Sequence, residues 1–228
     1  MNDPDIFTMV EYPINVSPTA DENFKPWEYA SYNFAPVCFW TTHLVCCKET
    51  RPQEISTLEL DEPHETWASE IHAFDYHIIS RVRWFTHPML FYEERKLVVC
   101  HCCLMDNVKD VTKFYGYQKA IRTVFRKINA TKDYKGITYL RTLSPSHFEN
   151  GIRNKGGNCV RTRLFLSNET VLGGDEMEMY MIQVEEFRRA EEGAEVQVTG
   201  HDTGDGVEGG RATEQVRALA GRERDAVQ

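Results

Sequence analysis

The chain has 228 residues, enough for one domain with a sizeable core and short for two. Apolar residues at 41% and aromatics at 11% exclude a disordered or collagenous chain, and a net charge of −9 excludes a surface built throughout to neutralise nucleic-acid phosphates. No run of about 18 apolar residues occurs, and the start Met1-Asn2-Asp3-Pro4-Asp5 lacks the basic and apolar stretches of a signal peptide, so neither membrane spanning nor secretion is expected.

Residues 1–25, with Pro4, Pro13 and Pro18, read as an extended arm that lays a short strand around Phe7 to Tyr12. From Val37 to Cys47 the segment is aromatic and β-branched, the signature of a buried strand, and the charged stretch Lys48 to Pro63 reads as a loop. Trp67, Ile71, Phe74, Ile78 and Val82 recur at spacings of three and four, which predicts a helix between His64 and Trp84, capped by Thr66. Leu97 to Leu104 reads as a second buried strand. Asp106 is placed to cap a long amphipathic helix whose inner face carries Val111, Phe114, Gln118, Ile121, Phe125 and Ile128; Gly116 weakens it.

Further strands are expected at Gly136 to Leu143, at Cys159 to Leu166, and, from the alternation of Met177, Met179 and Met181, after the Gly173-Gly174-Asp175 turn. Beyond Phe187 the chain carries no aromatic residue and many glycines and charges, so residues 187–228 read as a disordered tail. The predicted fold is α+β: a mixed sheet with two main helices in a single domain, residues 26–186, between the arm and the tail.

Seven cysteines, most of them in two clusters, sit in a chain with no export signal, which predicts reduced thiols and not a disulfide framework. The clusters are Cys38, His43, Cys46 and Cys47, and Cys100, His101, Cys102 and Cys103. Strand alternation puts His43 and Cys47 on one face and Cys100 and Cys102 on one face, so zinc held by His43, Cys46 or Cys47, Cys100 and Cys102, with His101 beside them, requires the two strands to be neighbours. Buried structural thiols are the alternative; a cysteine nucleophile is a third, weakened because Cys100 and His101 point apart on a strand. Lys119, Arg122 and Arg126, at i, i+3 and i+7 on the long helix, form a basic face for an acidic partner or RNA, or a solvated helix face.

The order of motifs resembles the adenovirus early-region-four 34 kDa protein family. Pro26-Trp27 is followed by 15 residues and then His43-Leu44-Val45-Cys46-Cys47; after these come Cys100-His101-Cys102, Val124-Phe125-Arg126, Tyr139-Leu140-Arg141 and the stretch from Gly157 to Leu166. The resemblance spans Pro26 to Val171. It implies a non-enzymatic viral adaptor of the host nucleus and cytoplasm, which joins elongin B, elongin C and a cullin, with a second viral early protein, to host degradation targets and aids export of late viral mRNA. The competing expectation is a zinc-dependent RNA-binding regulator.

Overall fold

The computed structural model describes residues 14–17, 23–48, 55–80, 84–132, 134–143, 148–151, 154–160, 162–163, 172–192 and 216–219. They belong to two compact units, Met1–Thr41 with Arg161–Leu164, and Thr42–Val160 with Phe165–Gln228. The smaller unit holds an antiparallel sheet in the order β1 (Ile14–Asn15), β2 (Phe24–Glu28), β3 (Val37–Phe39). Phe24 and Phe39 face each other across β2 and β3 with ring centroids 5.3 Å apart, a cross-strand aromatic pair of the kind that fixes register.

In the larger unit a four-stranded sheet runs in the order β4 (Val45–Lys48), β5 (Ser56–Pro63), β7 (Met89–Glu93), β8 (Lys96–His101). Its central pair β5 and β7 is parallel and its outer pairs are antiparallel. A second sheet pairs β6 (Tyr76–Ser80) in parallel with β9 (Ile137–Arg141), whose other edge takes β10 (Val216–Leu219) antiparallel. The helices are α1 (Glu65–Ala68), α2 (Lys113–Ala130) and α3 (Gly174–Glu192). The fold is therefore α+β with mixed sheets, as the sequence implies.

The long helix α2 packs on β5 and against α3. Leu58, Leu60, Phe91, Tyr117, Val124 and Phe125 are fully buried there. Gly116 is required by this packing and does not weaken it: a Cβ at that position would fall on the Phe91 ring. Buried Thr123 donates its hydroxyl to the Leu60 carbonyl at 2.6 Å. Phe125 meets Phe187 of α3 edge to face, at 5.5 Å between centroids, a favoured aromatic geometry.

Several expectations change. The segment Lys48 to Pro63 is not all loop, because Leu58 and Leu60 alternate with acids along β5, an interior strand of the sheet. The helix expected over His64 to Trp84 stops at Ala68, where a 3-10 turn (Ile71–Ala73) follows. Beyond it, β6 pairs Ile78 with Tyr139 and Ile79 with Leu140, so β-branched residues in a parallel ladder override the helical spacing. The cap of α1 is His64, whose ring accepts from the Thr66 N–H at 3.4 Å, and not Thr66.

The helix α2 begins after Thr112 and not at Asp106. The expected strand at the methionines is α3: Met179, Ile182, Gln183, Glu186 and Phe187 are buried at helical spacing, and Asp175 and Glu176 in the first turn suit the helix dipole. The strand expected from Val37 to Cys47 is two strands, interrupted where Leu44 adopts φ 61°. The expected strand at Phe7 to Tyr12, half of the one at Cys159 to Leu166, and most of the 187–228 tail lie outside the described residues; the described half of Cys159 to Leu166 is not strand, and the described parts of the tail are the end of α3 and β10.

Candidate functional site

The turn between β7 and β8 is made by Glu94 and Arg95, both with positive φ (51° and 62°), a two-residue hairpin conformation that usually requires Asn or Gly. Asp61 of β5 holds it by accepting the Glu94 N–H at 2.8 Å, and Glu62 pairs with Arg95 at 3.6 Å. The braced turn forms one wall of a cleft of about 350 Å³, lined by Leu60, Asp61, Glu93, Lys96, Lys119 and Arg126 among others. Across it Glu93 accepts from Lys119 at 2.9 Å and from the Tyr115 hydroxyl at 2.8 Å. Burial alone pushes the Glu93 carboxyl up, but the hydrogen bonds from Lys119 and Tyr115 outweigh it and hold the group below the usual carboxylate range. Burial and the same Glu93 contact push Tyr115 up to about 12. The second Asp61 oxygen is buried without a hydrogen-bond partner among the described residues.

Of the predicted basic face, Lys119, Arg122 and Arg126 all line this cleft, and Arg122 also reaches into the seam between α2 and α3. Glu186 is 1% exposed and accepts from Arg122 Nε and Nη2, each at 2.7 Å, from Gln118 at 2.9 Å and from Arg189 at 3.0 Å. The hydrogen bond to Glu186 raises the Arg122 guanidinium further above its ordinary value. A further pair, Lys113 with Asp175, joins the start of the two helices. Arg126 bonds Thr123 at 3.1 Å. These cations are engaged by groups of the chain itself, which is how a helix face rich in Lys and Arg coexists with a net acidic charge.

The two cysteine clusters are not brought together. Strands β4 and β8 are the outer strands of the sheet with β5 and β7 between them, three inter-strand steps of about 4.8 Å and hence roughly 14 Å apart. His43 is buried and packs edge to face on Phe85 at 5.0 Å. Cys46 bonds the Pro63 carbonyl at 3.6 Å, and burial, then Glu62, pushes its thiol up; Cys47 sits beside it, paired with Leu58.

At the other edge Cys100 and Cys103 form a disulfide with Cα atoms 5.9 Å apart, against the expectation of reduced thiols throughout. The cause is local: β8 ends at His101, Cys102 adopts φ 51°, and the chain turns Cys103 back toward Cys100. His101 Nδ1 donates to the Val111 carbonyl at 2.9 Å, which leaves Nε2 as the acceptor nitrogen, 3.6 Å from the Cys102 sulfur. The expected opposition of strand neighbours thus fails at the strand's end. The sequence reading missed Asp61 and Glu93 as cleft residues, Cys103 as the partner of Cys100, and Asp110 beside them. The Cys-x2-Cys spacing of Cys100 and Cys103 was the available signal for their pairing, and nothing comparable pointed to Asp110.

Residues 6–203 match the PC-Esterase family, described as a GDSL/SGNH-like acyl-esterase family found in Pmr5 and Cas1p. Protein trichome birefringence-like 19 of Arabidopsis thaliana is 45% identical over 196 residues, 83% of this chain and 45% of the relative. Xyloglucan O-acetyltransferase 4 of Populus trichocarpa is 35% identical over 191 residues, 82% of this chain and 46% of the relative. The chain spans less than half the length of these relatives.

These matches overturn the adenoviral resemblance, which rested on short motifs in order and not on continuous identity. With it fall the non-enzymatic adaptor, its elongin, cullin and viral partners, its degradation targets, and the host nuclear and cytoplasmic location, because the relatives are plant proteins in a family of acyl-esterases. The RNA-binding alternative falls as well: the family that matches is one of acyl-esterases and its relatives include xyloglucan O-acetyltransferases, while Lys119 and Arg122 are paired with Glu93 and Glu186. Among the described residues no helix is long and apolar enough to cross a membrane.

Proposed function

Since this chain belongs to the PC-Esterase family, we propose that it serves O-acyl transfer to the hydroxyl groups of a plant polysaccharide of the xyloglucan class. The observation that carries this reading is the 35% identity to a xyloglucan O-acetyltransferase across 82% of the chain. In such a reaction an activated acyl ester is attacked by a nucleophile and the acyl group passes on to a sugar hydroxyl, with charge on the carbonyl oxygen stabilised by fixed donors. The 228 residues contain no Gly-Asp-Ser-Leu run of the kind the family description names, and we assign no nucleophile among them.

What the described residues offer is an acceptor surface. The cleft alternates carboxylates and cations, and a polyhydroxylated sugar is met by such a mixture of acceptors and donors. Glu93 and Glu94 supply acceptors along its lining, and Lys96 and Arg126 supply donors.

The test is a chimera in which the 191 aligned residues of the Populus enzyme are replaced by their counterparts from this chain. Incubated with xyloglucan oligosaccharide and an activated acetyl donor, the chimera should produce oligosaccharide heavier by one acetyl group. A folded chimera that transfers nothing while the parent enzyme does would sink the reading.

A further inference from the structure

We propose that reduction of the Cys100–Cys103 disulfide opens a binding site for a soft divalent cation such as zinc, held by the two released thiolates and the Asp110 carboxylate. The sulfur atoms of Cys100 and Cys103 and a carboxylate oxygen of Asp110 lie within 4.8 Å of one another. Tetrahedral coordination at bond lengths of about 2.0–2.3 Å needs donors roughly 3.3–3.8 Å apart, a spacing these three reach with small side-chain movements. Two cysteines separated by two residues are the usual half of a structural zinc site. The third donor sets this cluster apart from a disulfide that only staples a turn.

Asp110 is held in place independently of any metal. Cys100 N–H donates to the Lys109 carbonyl at 3.0 Å and Val111 N–H to the Cys100 carbonyl at 2.8 Å, so residues on both sides of Asp110 are tied to the backbone of Cys100. Its Oδ1 accepts the Cys102 N–H at 3.1 Å, and its other oxygen is available to the cation. Cys100 is fully buried and Cys103 nearly so, whereas Asp110 is exposed, so the pair of sulfurs is screened by protein and the fourth coordination position opens on water beside the carboxylate.

The chemistry balances with a phosphine as reductant. The disulfide bond takes two electrons from the phosphine and two protons, the phosphine leaves as its oxide with an oxygen from water, and the two thiols lose two protons when the cation binds. In the oxidised chain neither sulfur is a thiolate and the site is closed.

The experiment uses the full chain before and after phosphine reduction, with cobalt as an optical probe displaced by zinc, and elemental analysis for stoichiometry. The reduced chain should take up one equivalent, with a thiolate-to-cobalt absorption band, and the oxidised chain none. Reduced Cys103→Ser should lose the band while its circular dichroism matches that of the reduced parent; Cys159→Ser should leave the band unchanged. Asp110→Asn, an exposed change, should weaken binding by at least roughly tenfold, the loss that even an outer-shell partner causes. Uptake by the oxidised chain, a band that survives in Cys103→Ser, or unchanged affinity in Asp110→Asn would overturn the proposal.

Discussion

At the seam between α2 and α3, Glu186 takes donors from Gln118, Arg122 and Arg189, and the basic residues there are bound up in holding two helices together. At the end of β8, the Cys100 and Cys103 side chains are joined to each other, with the Asp110 carboxylate beside them. Both regions carry the residue types that suggest function in a sequence. The seam's charges cannot leave their partners without exposing a buried carboxylate, whereas the sulfur pair changes state with a two-electron reduction. A reactive-looking cluster is therefore sorted by what the fold sets beside it, and substitutions can probe each side of that contrast.

The largest effect is expected at the seam. Glu186→Ala strips Arg122 of its bidentate partner and leaves Gln118 without its acceptor. Hydrogen bonds to a charged group contribute about 1.5–3 kcal/mol; Arg122 is 34% exposed and can hydrate once Glu186 is gone, so about 2 kcal/mol is expected, read as a lower denaturation midpoint at constant slope. A loss below about 1 kcal/mol would show that the seam is held by Phe125 and Phe187 alone. Gly116→Ala comes next. Helix propensity favours alanine by about 1 kcal/mol, but the added Cβ meets the Phe91 ring, and overpacking of a core costs about 1–3 kcal/mol. A net destabilisation of about 1 kcal/mol is expected; a stabilised variant would mean that α2 shifts freely on the sheet.

The long amphipathic helix was legible because its apolar residues recur with a helical period, and strand β8 because it lies largely in a short apolar run, Leu97 to Leu104. Strand β5 was not: Glu59, Asp61 and Glu62 make it look like a solvated loop, although Leu58 and Leu60 already alternate with them. The segment around β6 was misread because Trp67, Ile71, Phe74 and Ile78 happen to share a helical spacing while belonging to a helix, a 3-10 turn, an extended link and a strand. In α3 three methionines alternate over a window too short to separate the two periods, and only Gln183, Glu186 and Phe187 disclose the helix. The cysteines announced themselves in the sequence, but the pairing of Cys100 with Cys103 depends on a left-handed residue at Cys102, and the placing of Asp110 on a parallel bridge to Cys100. Neither leaves a periodic trace.

The smallest effect sharpens the contrast by testing a charge pair that is neither buried nor fully solvated. Lys119 and Glu93 are 32% and 27% exposed and 2.9 Å apart, a setting in which an ion pair contributes about 0.5–1 kcal/mol. Because the Glu93 carboxyl is held below its ordinary range, its contribution is present above the unfolded carboxylate value and is lost as pH falls through the folded one. Lys119→Met keeps most of the aliphatic stem that packs by Tyr115, where the ammonium lies 5.6 Å from the ring centroid, and removes the charge. Parent and variant should therefore differ at neutral pH, differ less in added salt, and converge in acid once Glu93 is protonated in both. If the difference persists undiminished at low pH, Lys119 acts through its contact with the Tyr115 ring and not through the carboxylate across the cleft.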